Sequence, residues 1–514
     1  MVKRLTIIIA ATVMLISFCA CSSRQDSNKA ELTILYTNDI HCSYENYPLI
    51  GAFKETLKCK DVNTILVDGG DFVQGNPAGA EDKGTNMIRL MNAVGYDYAV
   101  PGNHDYDYGM DAFIENAAIA DFEWISCNYP GKDKYENAFI HEPYKIIDVG
   151  THRIALIGIE YENNPDVYVA KLQTSIAGAQ SEGADFVIAI GHTGKHAKTI
   201  IEETAGINVY LNAHDHVVNN AKESALCYRN INGEDIPVYE TGTGFQYVGE
   251  LVIDCKKEDI CYGFELKTAS DLEAEMVESM PESAVKTKDK CNEIVDKCNK
   301  TMEPYRVEIG RSECTLCVYD PVQFPQYVNN IEYNSTDFIA DAFRAVGKTE
   351  IALVNLDSVR VGLFSGNITK LDIYNLYPWN RKVYTTTLSG KQIIDILDYN
   401  LRNCPKHTSC SPAVSGMTFT VNTSIPRTGN GSNRIKNVMI GNEPINVNRM
   451  YSVTSSEYYL LTANKDIINK SADDCICIGT DQEVIEKYIK NDLNNVIPKL
   501  LYSDPSGSGR IYVN

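Results

Sequence analysis

Val100-Pro101-Gly102-Asn103-His104-Asp105-Tyr106-Asp107 is the stretch from which the chain is read. It follows residues 95–99 (GYDYA), which read as a short strand, and Pro-Gly turns the chain sharply at the strand end. One turn then presents an amide oxygen, an imidazole and two carboxylates. Polar turns rich in Asn and Asp are also common without any ion. Beside carboxylates and imidazoles, though, the Asn offers a neutral oxygen suited to a hard or borderline cation.

Outward from this turn the same arrangement recurs. Residues 31–37 (ELTILYT) alternate as a strand and deliver Asn38-Asp39-Ile40-His41. Side chains two apart project the same way, so Asp39 and His41 can grip one ion. Residues 63–67 (NTILV) open into Asp68-Gly69-Gly70-Asp71, where the glycines admit close backbone approach. Asp71 is placed to bridge two cations, with Asp68 as the alternative. A helical pattern over 86–94 leads to the opening stretch. Residues 154–159 (IALIGI) form a further apolar strand. Residues 186–190 (FVIAI) end in Gly191-His192, and residues 209–211 end in Asn212-Ala213-His214-Asp215-His216. Strands alternating with helices predict an α/β sheet whose site lies outside the strand ends. The chain has nine histidines, and five of them sit in these loops. One Gly-His-Thr-Gly or one His-x-His is more often a plain turn or a surface pair; five ligand-bearing loops after five strands are hard to obtain by chance.

The 514 residues are long enough for two to four domains. With 44% hydrophobic residues there is ample core, and a formal charge of -21 disfavours nucleic acid as a partner. Residues 1–20 pair Lys3 and Arg4 with an apolar run too short to span as a mature helix, which is the pattern of an export signal. The run ends in Phe18-Cys19-Ala20-Cys21-Ser22-Ser23, resembling a bacterial lipoprotein cleavage site with Cys21 as the lipidated residue and membrane anchor. Residues 22–30 then form a tether. Fourteen further cysteines include close pairs, Cys255/Cys261, Cys291/Cys298, Cys314/Cys317, Cys404/Cys410 and Cys475/Cys477, which an exported protein could bridge locally. Cys42 reads as a free thiol.

Taken together, Asn38-Asp39-Ile40-His41, Gly69-Gly70-Asp71-x-x-Gln74-Gly75, Gly102-Asn103-His104-Asp105-Tyr106-Asp107, Gly191-His192 and His214-Asp215-His216 resemble the dinuclear metallophosphoesterases. The resemblance is greatest to the bacterial 5'-nucleotidase / UDP-sugar hydrolase / cyclic phosphodiesterase family. It implies a four-layer αββα catalytic domain followed by a smaller α/β substrate-binding domain. The expected division is catalytic domain 31–265, helical connection 266–327 and substrate-binding domain 328–514. The resemblance also implies two divalent ions, Zn, Mn, Co or Fe. Asp39, His41, Asp71 and His216 would hold the first, and Asp71, Asn103, His192 and His214 the second. His104 matches the catalytic histidine and Asp107 the carboxylate that orients it. The implied reaction is in-line attack of a metal-bridging hydroxide on a 5'-nucleotide; 2',3'-cyclic nucleotides, UDP-sugars or a non-nucleotide phosphoester are the alternative substrates. The family's Gly before the last His pair is Ala213 here.

In the second half, residues 269–302 predict one or two charged helices interrupted at Pro281. Residues 333–344 begin a helix capped by Ser335 or Thr336. Arg360 ends Asn355-Leu356-Asp357-Ser358-Val359-Arg360, where the family has Asn-Gly-Gly-x-Ile-Arg, and is placed to meet the substrate phosphate. Tyr377-Pro378-Trp379-Asn380 matches a Pro-Phe-x-Asn loop, with Trp379 near the substrate or packing the loop. The family stacks the base between two aromatic rings. Ser411-Pro412-Ala413 supply none at the first position, and Tyr458 or Tyr459 are the candidates for the second. A protein that captured ligand without turnover would not need the His104–Asp107 pair.

Overall fold

This structure, a computed structural model, describes residues 30–162, 165–219, 226–256, 259–276, 280–318, 331–404, 410–425 and 433–514. The expected signal segment with Cys21, and the tether up to residue 29, lie outside the described residues. Among the described residues no helix is long and apolar enough to cross a membrane.

The first half is built on thirteen strands: β1 (Glu31–Thr37), β2 (Thr64–Asp68), β3 (Tyr98–Ala99), β4 (Glu123–Trp124), β5 (Tyr144–Val149), β6 (His152–Ile159), β7 (Phe186–Gly191), β8 (Val209–Asn212), β9 (Val218–Asn219), β10 (Leu226–Arg229), β11 (Asp235–Thr241), β12 (Val248–Asp254) and β13 (Cys261–Lys267). One sheet runs β13-β12-β1-β2-β3-β4, the other β10-β11-β8-β7-β6-β5, with β9 on β11. Alternation along β1 explains the layering. Leu32, Ile34 and Tyr36 pack into a core shared with Ile154, Leu156, Ile188, Ile190 and Leu211 of the other sheet. Leu35, on the opposite face, packs under helices α1 (Tyr47–Cys59) and α2 (Thr85–Val94). The far face of the second sheet is covered by Pro165–Ser181 and Ala197–Glu202. The result is helices, sheet, sheet, helices.

Strands β1 to β4 are parallel to one another, as are β6, β7, β8 and β11. Every loop expected to carry ligands therefore leaves the carboxyl end of a parallel strand, the usual place for a site in such sheets.

Helix α3 (Glu282–Met302) starts after Pro281, as its sequence predicts. Its charged residues face outward, while Ala284, Cys291, Ile294, Cys298 and Met302 enter the core beneath α1 and α2. This segment, expected as a connection, packs as part of the outer helical layer of the first half.

The second half centres on a five-stranded sheet ordered Pro412–Ser415, Ile351–Asn355, Met450–Ser456, Lys382–Ser389, Ile476–Thr480, flanked by helix α4 (Asn334–Gly347). The residue capping α4 is Tyr333, two or three positions before the expected Ser335 or Thr336. Its extended backbone leaves its N–H free to donate to Thr336 Oγ1 at 3.2 Å, while the Ser335 hydroxyl donates to the Cys317 carbonyl.

The expected local disulfides are absent: all fourteen described cysteines are free thiols. Cys291 and Cys298 lie seven residues apart on α3. At 1.5 Å per residue that separates them by about 10 Å along the axis, beyond the reach of a disulfide. Cys42 is fully buried, and its thiol donates to the Val73 carbonyl at 2.8 Å.

Candidate metal centre

Five loops meet above the two sheets. Asp39, His41 and His216 present ligand atoms within 4.8 Å of one another, and so do Asp71, His192 and His214. In the first group His41 Nε2 lies 3.0 Å from His216 Nε2 and 3.8 Å from Asp39 Oδ1; His216 Nε2 lies 3.5 Å from Asp39 Oδ1. In the second, His192 Nε2 lies 3.1 Å from Asp71 Oδ2, and Asn103 Oδ1 lies 3.1 Å from His192 Nε2 and 2.8 Å from His214 Nδ1. Asp71 Oδ2 also approaches His41 Nε2, at 3.8 Å. One carboxylate oxygen thus faces both groups. Donor separations of this size are the edges expected of a tetrahedron around an ion with bonds of about 2.0–2.1 Å, roughly 3.3 Å.

The protein bonds each candidate ligand on one side and leaves the other side inward. His41 Nδ1 donates to the Gln74 carbonyl at 3.0 Å and His192 Nδ1 to the Gly69 carbonyl at 2.9 Å, so each keeps a bare Nε2 toward the centre. Asp39 Oδ2 accepts from the Asn38 amide (2.7 Å) and from His214 N (2.8 Å). Asp71 Oδ1 accepts from His104 N at 2.7 Å. Asp39 Oδ1 is buried with no hydrogen-bond partner. An orphaned carboxylate oxygen among imidazole nitrogens is what a cation would satisfy.

The electrostatics agree with that fit. Burial disfavours ionisation of Asp71, yet the imidazoles of His192, His104 and His41 hold its carboxyl well below the usual carboxylate range. Burial works against protonation of His192 too, but Asp71 and Asp39 push it up to about 10. His214, buried and facing the His192 charge, falls to about 4. Positive charge is thus favoured at the centre, and only some of the imidazoles can supply it as protons.

The turn His104–Tyr106 carries the remaining groups. His104 Nδ1 lies 2.7 Å from Asp107 Oδ2. Burial tends to lower the pKa of this imidazole, but the bond to Asp107 and the charge of Asp71 raise it overall. The structure also supplies groups not singled out in the sequence. Asp105 is buried and accepts from four backbone N–H groups, while the Tyr106 hydroxyl donates to Glu160 Oε2 at 2.5 Å. Asn38 Oδ1 accepts from Thr241 N, and Glu240 accepts from Asn212 Nδ2 and Val217 N beneath the last histidine pair. No spacing rule marks these residues; only the polar character of the loops hinted at them. Asp68, the alternative bridge, accepts from Thr37 Oγ1 and Gly70 N and is committed to shaping its loop. Ala213 is fully buried with both backbone groups bonded, so its methyl is accommodated.

A cleft of about 960 Å³ opens over the centre, lined by His41, His104 and His216 on one side and Arg360 and Trp379 on the other. Trp379 Nε1 donates to the Ser358 carbonyl at 2.7 Å, tying two loops together. The guanidinium of Arg381 lies 4.7 Å from the Trp379 ring centre and 4.8 Å from that of Tyr458; that of Arg360 lies 5.6 Å from Trp379. The two tyrosines considered for substrate stacking are differently placed. Tyr459 is fully buried in the core with its hydroxyl near Asn400, and so has no face for a ligand. Tyr458 is half-buried beside Cys410 and already covered by Arg381.

Residues 32–218 match the model of the calcineurin-like phosphoesterase family, and residues 313–468 match that of the 5'-nucleotidase C-terminal domain. The 5'-nucleotidase of Vibrio vulnificus (strain CMCP6) is 22% identical over 567 residues, covering 96% of this chain and 97% of that protein. The trifunctional nucleotide phosphoesterase YfkN of Bacillus subtilis (strain 168) is 24% identical over 445 residues; the match covers 76% of this chain and 29% of the longer protein. Among solved structures, a 5'-nucleotidase precursor from Thermus thermophilus superposes with a TM-score of 0.72 at 20% identity, covering 94% of this chain and 99% of that one. The sulfate thiohydrolase SoxB of the Thermus genus superposes with a TM-score of 0.64 at 16% identity, covering 94% and 96%.

Proposed function

Since this chain belongs to the family that joins a calcineurin-like phosphoesterase domain to a 5'-nucleotidase C-terminal domain, we propose that it is a metal-dependent phosphoric monoester hydrolase that releases phosphate from 5'-nucleotides. The observation that carries this reading is the pair of ligand groups sharing Asp71 Oδ2, with the buried, unpartnered Asp39 Oδ1 facing one of them.

Asp39, His41, Asp71 and His216 would hold one divalent ion, and Asp71, Asn103, His192 and His214 the other. The mixed imidazole, amide and carboxylate donors suit Zn, Mn, Co or Fe. When bound, such a pair supplies Lewis acidity to the phosphoryl oxygens and acidifies a water molecule. The protein's own groups do the rest. Asp107 fixes the ring of His104 through Nδ1, which leaves Nε2 as the atom able to deliver a proton to the departing oxygen. Arg360, exposed on the opposite wall, offers its planar fork of donors to the phosphate. Trp379 and Ser358 hold the loop from which Arg360 projects.

The placement of Tyr458 and Tyr459 favours a second reading of the leaving group, in which a 2',3'-cyclic nucleotide, a UDP-sugar or a non-nucleotide phosphoester is the substrate. The fold allows it, since a sulfate thiohydrolase shares the architecture. Export and anchoring through Cys21 rest on residues 1–21; a Cys21→Ser variant that stays membrane-bound would sink the anchor.

The test is phosphate release by the metal-reconstituted chain from AMP, UMP, 2',3'-cyclic AMP, UDP-glucose and an aryl phosphate. Preference for AMP or UMP supports nucleotide hydrolysis; equal or faster turnover of the aryl phosphate replaces it with the second reading. A His104→Ala variant should keep its metals and lose roughly 10²–10⁴-fold in kcat. Unchanged turnover would remove His104 from the mechanism.

A further inference from the structure

Asp105 stands between the two loops that matter most at the centre, and its contacts are unusual. It is 3% exposed. Oδ2 accepts from Asp71 N at 2.9 Å and Gly102 N at 2.8 Å; Oδ1 accepts from Phe72 N at 3.0 Å and Val73 N at 3.1 Å. Four backbone donors from the loops after β2 and β3 thus converge on one carboxylate. The exchange is reciprocal, because Asp71 Oδ1 accepts from His104 N on the other loop at 2.7 Å. Each loop therefore holds the other by a side-chain carboxylate bonded to backbone N–H groups. Among the described residues no side-chain cation is bonded to Asp105, so its contacts serve geometry rather than an ion pair.

The geometry held in this way is a demanding one. Asp71 sits at φ 63°, a conformation L residues rarely adopt without support. Gly102 is pressed so close that a Cβ there would lie 2.2 Å from Asp71 Oδ1 and 2.4 Å from Asp71 N. If the Asp105 carboxylate were lost, three consecutive N–H groups, those of Asp71, Phe72 and Val73, would be buried without an acceptor. The loop would then have to turn to find one. Such a turn would swing Asp71 Oδ2 away from His41 and His192.

We propose that Asp105 is a positioning residue that sets where the Asp71 carboxylate lies between the two ligand groups, and so sets the affinity of the centre for its ions. This rests on the reading that Asp71 serves both ions. Only a carboxylate fits the arrangement. An Asn has one acceptor oxygen, and its NH₂ would face two backbone donors. A Glu keeps both acceptors but moves them by one methylene.

The experiment measures Mn²⁺ and Zn²⁺ binding by the full chain in competition with a chromogenic chelator, together with kcat, KM and melting temperature, for wild type, Asp105→Asn and Asp105→Glu. For Asp105→Asn we expect metal affinity to fall about 10–100-fold, as when outer partners of metal ligands are removed, with kcat falling alongside and KM little changed. Excess metal should recover part of the activity. Asp105→Glu should fold and bind metal less tightly than wild type but better than Asp105→Asn. A lower melting temperature with wild-type metal affinity and kcat in Asp105→Asn would overturn the proposal, leaving Asp105 a fold residue only. If Asp105→Asn does not fold, wild-type affinity in Asp105→Glu would overturn it equally. A wild-type chain that binds two ions yet hydrolyses no phosphoester would refute the proposed function while the affinities still judge Asp105.

Discussion

Asp39, His41, Asp71, His214 and His216 all hold φ in the left-handed region, at 50°, 47°, 63°, 94° and 58°. Each such residue costs on the order of 1–3 kcal/mol, and five of them among seven candidate ligands is a concentration that packing alone does not require. The surrounding hydrogen bonds hold them there: Asp39 N donates to the Gly70 carbonyl, His41 N to Asp71 O, and His214 N to Asp39 Oδ2. The backbone must also pass very close to itself, and Gly102 is the tightest point. Gly102→Ala would force a methyl to within 2.2 Å of Asp71 Oδ1. The expected result is a chain with at most half the metal content of wild type after gel filtration and kcat lower by roughly 100-fold, the effect size of disturbed metal support. Atomic emission and steady-state kinetics check it; full metal content at wild-type kcat would mean the loop can yield without moving the ligand. At this scale the ligands themselves were legible, because Asp, His and Asn stood at the ends of apolar strands. The left-handed backbone was not, since those residues carry no glycine signature, and neither was Asp105, whose role depends on four N–H groups from two loops distant in sequence.

Strands were the most readable elements. β1 agrees with the alternation of residues 31–37 to the residue, and β2, β6, β7 and β8 differ from their sequence patterns by one or two positions. Buried apolar strands in a parallel sheet announce themselves as short runs of Val, Ile and Leu. Helix α3 was harder. Its sequence is dominated by Glu, Lys and Asp, so it reads as a solvated face, yet a narrow stripe of Ala284, Cys291, Ile294, Cys298 and Met302 seals the layer over α1 and α2. Cysteine pairing failed for a related reason: nearness in sequence says nothing of Cβ geometry, and helical positions seven apart lie two turns away. The stripe supports the helices behind β1 and β2 without touching the metal loops. Ile294→Ala should therefore lower unfolding free energy by about 2–4 kcal/mol, the range for removing a buried aliphatic side chain. Urea denaturation measures that loss, while kcat at about 25 °C should stay within a factor of two of wild type. A marked fall in kcat would mean that the outer helical layer also governs the centre.

At the scale of the whole molecule, the two halves face each other across the cleft, one bringing the proposed ligands and the other Arg360. The chain carries a formal charge of -21, so an incoming phosphate ester is repelled at long range and must be drawn in by local cations. Among the residues lining the cleft the only side chain that is cationic at all pH values is Arg360. The nearest acidic neighbour on its own loop, Asp357, has its carboxyl pushed up to about 6 by burial, against the pull of Arg360 itself, so near neutrality it is only partly free of its proton. Arg360 thus meets the substrate with little local neutralisation, and Trp379 shields one side of its guanidinium from water. Removing it should weaken capture of the phosphate more than the chemical step. For Arg360→Ala we expect KM to rise about 10–100-fold, the equivalent of roughly 1.5–3 kcal/mol for a charge-assisted hydrogen bond, with kcat reduced less than KM is raised. Arg360→Lys should recover part of the affinity, because charge returns without the bidentate fork. Steady-state kinetics across a range of salt concentrations separates these effects: in wild type KM should climb with ionic strength, and in Arg360→Ala that dependence should flatten. If KM and its salt dependence were the same in both proteins, the second half would not contact the phosphate in the working enzyme, and substrate binding would rest on the first half alone.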